Sequence, residues 1–73
     1  MNTNRRIGIL NALIARYEAQ IAEAHATINI YLDNSVGIGE HPQHIDELDK
    51  LFGKIAEAED KVKVIERWES QWI

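Results

Sequence analysis

Ile7, Leu10, Ile14, Tyr17, Ile21, Ala24, Ile28 and Tyr31 recur at alternating steps of three and four. That is the a/d spacing of a helix that buries one stripe. Alanine, leucine, glutamate and glutamine fill much of the remainder and all favour helix. The pattern predicts a first helix over about residues 4–33, capped by Thr3 or Asn4 and ended by Asn34. A second stripe, Leu48, Leu51, Ile55, Ala58, Val62 and Ile65, predicts a helix over about 42–71. Trp72 is in phase with it, and Glu69 interrupts it. Pro42 suits its first turn, where a missing N–H costs nothing. Asp46–Lys50, Glu57–Lys61 and Glu59–Lys63 have the i,i+4 spacing of helix-surface ion pairs. Gly53 falls on the outer face, with no reason for it in the pattern.

Between the helices lies residues 34–41, a hinge containing Gly37 and Gly39. Folding the chain there brings the stripes together antiparallel. Ile28 is expected near Leu48, Ile21 near Ile55 and Ile14 near Val62, with Ala24 facing Phe52 and Ala58 facing Tyr17. The expected fold is all-α: one domain over residues 1–73, an antiparallel two-helix hairpin about 45 Å long.

Two helices bury only the stripe between them. Ile9, Leu13, Val64, Trp68 and Trp72 remain outside it at the end bearing the termini, and Ile30, Leu32 and Phe52 nearer the hinge. A patch of that size marks a partner surface, and self-association into a homo-oligomeric helical bundle is the simplest way to cover it.

Composition narrows the classes. At 73 residues a lone chain is marginal, and with no cysteine it has neither disulfides nor thiolate metal sites to help. Net charge is −4, and residues 42–73 carry eight acids against five bases. No basic stripe suits duplex nucleic acid. No apolar run approaches the ~18 residues of a membrane span, and no hydrophobic block of a signal peptide stands at the N-terminus. The expected location is the cytoplasm. No nucleophile, base and oxyanion donors assemble, so the chain is not expected to be an enzyme or to carry a cofactor.

Three places could hold a ligand. Gly37 and Gly39 ahead of a helix start resemble an anion cradle, to which His41 and His44 could add hydrogen bonds. The plain alternative is a turn whose Val36 and Ile38 plug the core. His41-x-x-His44 with Glu40, Asp46 or Glu47 would also suit zinc, but its spacing matches no finger or protease motif, and His25 is too far away. No metal is expected. Arg5 and Arg6 should lie close to Trp68 and Trp72, where arginine could hold a phosphate and an aromatic ring stack a base. Packing alone would account for the same residues.

The string Asn34-x-Val36-Gly37-Ile38-Gly39-Glu40-His41-Pro42, followed by Ala56-Glu57-Ala58-Glu59-Asp60-Lys61, resembles a group of small proteins encoded by tailed bacteriophages. The likeness covers about residues 28–67 and departs at Ser35, where proline is expected in many relatives. It implies residence in the cytoplasm of an infected bacterium and supplies no catalytic residues. By analogy of class with phage proteins that sequester nucleotide immune signals, the expected activity is binding of a small anionic nucleotide between subunits. Gly37, Gly39, His41, His44 and Tyr31 of one subunit and Arg5, Arg6 and Trp72 of the next would form that site. The competing expectation is a structural or adaptor protein acting through helix-bundle contacts.

Overall fold

The computed structural model of the chain is described over residues 3–33 and 43–72. Two helices account for all of it: α1, Thr3–Asp33, and α2, Gln43–Trp72. The expected opening of this helix at Pro42 and the hinge 34–41 lie outside the described residues. The expected caps shift, because Thr3 and Asn4 are already helical.

The helices run antiparallel. Tyr31 in the last turn of α1 meets His44 in the first turn of α2, and Tyr17 meets Lys61 midway. Leu10 and Trp68 share a cleft at the other end. The result is a rod of 56 × 15 × 13 Å with a radius of gyration of 16.7 Å. A globule of this length would have a radius near 11 Å, so the chain has no second layer to enclose.

The core is correspondingly thin. Ala24, Ile28, Ile55 and Ala58 are its buried side chains, with Ile21, Leu48 and Leu51 packed against the cluster. Burying each isoleucine contributes about 1.5–3 kcal/mol. The stripe is therefore the seam that its periodicity predicts, but three details differ. Phe52 is 56% exposed, which agrees with its expected place outside the seam and not with its expected position over Ala24, because it falls one position beyond Leu51 on the flank. Leu13 is half-buried, since its flank position turns toward α2. Trp72 is 63% exposed and packs on Trp68, at 5.7 Å between ring centroids, instead of extending the seam.

Ile9, Ile30, Leu32, Ile45, Val64 and Trp68 are also exposed. Lys61 pairs with Glu57 at 3.0 Å as the spacing predicts, whereas Lys50 takes Glu47 at 3.5 Å rather than Asp46. Exposed pairs of this kind contribute little to stability, because water and salt screen them. No described helix is long and apolar enough to cross a membrane.

Candidate functional site

The two ends of the rod hold different parts of the expected site. At the hinge end, the Tyr31 and His44 rings lie edge to face, 5.4 Å apart at 66°. His44 is half-buried and both of its ring nitrogens are shielded from solvent. That position packs the imidazole into the end of the seam rather than presenting it outward. Gly37, Gly39 and His41 lie outside the described residues. Among the described residues, no three histidine or acidic side chains converge as a metal-ligand set.

At the other end, Arg6, Ile9, Leu10 and Trp68 line a shallow cleft of about 220 Å³. Its floor is apolar, and Arg6 supplies the cation at its edge. Trp72 leans on Trp68 at an interplanar angle of 39°. Arg5 is exposed beside them. The structure thus brings Arg6 and Trp68 together and keeps Trp72 next to them. It does not bring any of these to Tyr31 or His44 within one chain, because most of a 56 Å rod intervenes.

A groove that the sequence reading missed lies between the two ends. Two small seam residues, Ala24 and Ala58, leave a hollow of about 330 Å³ rimmed by Gln20, Lys54, Glu57 and Lys61. Glu57 accepts a hydrogen bond from Lys61 and, with its negative charge, raises the lysine above its ordinary value of 10.5. The Lys61 ammonium also stands 5.2 Å from the Tyr17 ring centroid, a cation–π distance. Alanines at neighbouring levels of the seam, one on each helix, were the available signal, since small residues leave room on the flank.

Glu69 occupies a seam position between Ile65 and Trp72. One of its carboxylate oxygens is shielded from solvent and has no hydrogen-bond partner among the described residues. Such an atom loses its hydration without replacement. No protein-family model, curated protein or solved structure matches this chain.

Proposed function

We propose that this protein is an assembly or adaptor module, acting through helix-bundle contacts with copies of itself and, through them, with another protein. One observation carries the reading. Among the described residues the hairpin buries four side chains, two of them alanines, and leaves eight large apolar ones exposed. A surface so apolar on so thin a core is what a subunit presents before its neighbours cover it. A tailed-phage origin, suggested by the Asn34–Pro42 string, belongs to the same proposal. The test is a dilution series followed by circular dichroism and sedimentation. Association linked to folding lowers the thermal midpoint as the chain is diluted. A compact monomer at submicromolar concentration with an unchanged midpoint overturns the reading.

A second reading, sequestration of a nucleotide-derived signal, is favoured by the cleft at the terminal end. There Arg6 edges an apolar floor beside the Trp68–Trp72 pair, which suits a base next to a phosphate. Calorimetric titration with cyclic di- and trinucleotides and ADP-ribose derivatives tests it. Affinity weaker than about 10 μM for all of them, near −7 kcal/mol, removes this reading and leaves the first.

A further inference from the structure

The exposed side of α1 carries a second ordered pattern, about 150° around the helix from the seam. Its charged members, Arg16, Glu18 and Glu23, and the imidazole of His25 make no side-chain ion pair among the described residues. Its large apolar members, Ile9 and Ile30, are 59% and 65% exposed. Between a flank bearing Ile9, Arg16, Glu23 and Ile30 and a flank bearing Glu18 and His25 run Gly8, Ala12, Ala15, Ala19, Ala22 and Ala26, all exposed and spaced four, three, four, three, four. A Cβ added at Gly8 would meet nothing within 4 Å.

We propose that a second copy of the chain packs antiparallel on this face, about a two-fold axis passing between Gln20 and Ile21. The inference rests on the assembly reading and names one surface for it, the one that covers Ile9 and Ile30. Set Ala19 against the partner's Ala22, and Ala15 falls against the partner's Ala26 and Ala12 against the partner's Asn29. On one flank, Ile9 then meets the partner's Ile30, and Arg16 meets the partner's Glu23. On the other flank, Glu18 meets the partner's His25. The two-fold repeats every pair.

The charge pattern selects this arrangement. A parallel pair would set Glu18 of each copy against the partner's Glu23 and leave Arg16 facing the partner's Asn11. Sliding the antiparallel pair by one heptad either way also opposes Arg16 to itself or Glu23 to itself. Like charges so placed repel by as much as the correct pairs attract. The alanines let the backbones approach closely, so the flanking side chains reach across.

Area points to the same occupant. A folded monomer of this mass exposes about 4600 Å², whereas this chain exposes 5804 Å². The excess, about 1200 Å², exceeds the roughly 800 Å² that each partner contributes to an interface of standard size. Packed in this way, the four helices form one layer in the order α2, α1, partner's α1, partner's α2. Arg5 of each copy then lies towards the partner's end that carries Tyr31 and His44. The between-subunit nucleotide site expected from the sequence needs that juxtaposition, and a single chain cannot supply it.

Charge reversal and cross-linking test the interface. Arg16→Glu and Glu23→Arg, each alone, turn two attractions into two repulsions and should weaken self-association by about tenfold or more in sedimentation equilibrium. The double variant R16E/E23R should restore it to near the original value. Both positions are exposed on a helix, so circular dichroism should show helicity retained. The chain has no cysteine, so introduced thiols are unique. A mixture of Ala12→Cys and Asn29→Cys chains should give the mixed disulfide, with little Ala12→Cys homodimer. Association unchanged by the single reversals, a double variant that fails to recover, or predominant Ala12→Cys homodimer overturns this interface while leaving the assembly reading in place. An original chain that stays monomeric overturns both.

Discussion

The Lys61 ammonium stands 5.2 Å from the centre of the Tyr17 ring and 3.0 Å from the Glu57 carboxylate. One side chain thereby ties the middle of α2 to itself and to the middle of α1. The contact marks the register of the seam, because a slip of one helical turn would carry Lys61 out of reach of the ring.

Lys61→Met keeps most of the stem and removes the charge. It should lower the thermal midpoint at neutral pH. Because Glu57 raises the lysine above 10.5, the favourable contribution is fully present below that pH and lost as pH rises through the higher folded value. The gap between the original and the variant should therefore close in alkaline melts. A gap that stays constant well above pH 10.5 would show that the charge is not its source.

Ile28 and Ile30 lie two residues apart with opposite exposures, 4% and 65%. Ile28→Ala should cost about 2–5 kcal/mol and reduce helicity at every concentration. Ile30→Ala should leave dilute chains unaffected and lower the midpoint only where chains associate. Concentration-dependent melts of both variants separate the core from the proposed interface.

Gly53 sits inside α2 with nothing within 4 Å of an added Cβ. Gly53→Ala should stabilise the hairpin by about 0.5–1 kcal/mol, the usual gain for replacing glycine in a helix interior. Denaturant titration at constant slope would register it. A loss of association without loss of helicity would instead place a close neighbour against this residue.

Glu69→Leu should raise stability by about 1–3 kcal/mol, because it removes a shielded carboxylate oxygen and fills the seam. Glu69→Gln leaves a shielded polar atom in place and should gain less. Equal midpoints for the two variants would mean that the seam is already open to water at this level.

The seam was legible because its signal is redundant. From Ile7 to Tyr31 and from Leu48 to Ile65 every step of three or four carries an apolar residue, so one wrong assignment could not hide it. Phe52 and Leu13 show where the reading weakened. Each is one position off the stripe, and which flank residues turn inward depends on the packing of both helices. Lys50 is similar: Asp46 and Glu47 are both within reach, and only the rotamers decide for Glu47. The candidate site was less legible. Heptad arithmetic placed Arg6 near Trp68 correctly, but the central groove comes from what Ala24 and Ala58 lack. The hinge, with Gly37, Gly39 and His41, lies outside the described residues.

Because α1 and α2 are antiparallel, Thr3 and Trp72 leave the rod at the same end. A pulling force applied to those two points acts across the seam, not along it. It loads one level at a time, beginning at the Arg6–Trp68 cleft and the poorly satisfied Glu69, before reaching Ile28 and Ile55. A lone hairpin should therefore peel open at low force, like tape lifted from its edge. A second copy along the outer face of α1 would bear load in shear, spread over the whole helix. The same chain would then be weak as a subunit and stiff as an assembly, with its mechanical strength set by how many neighbours it has.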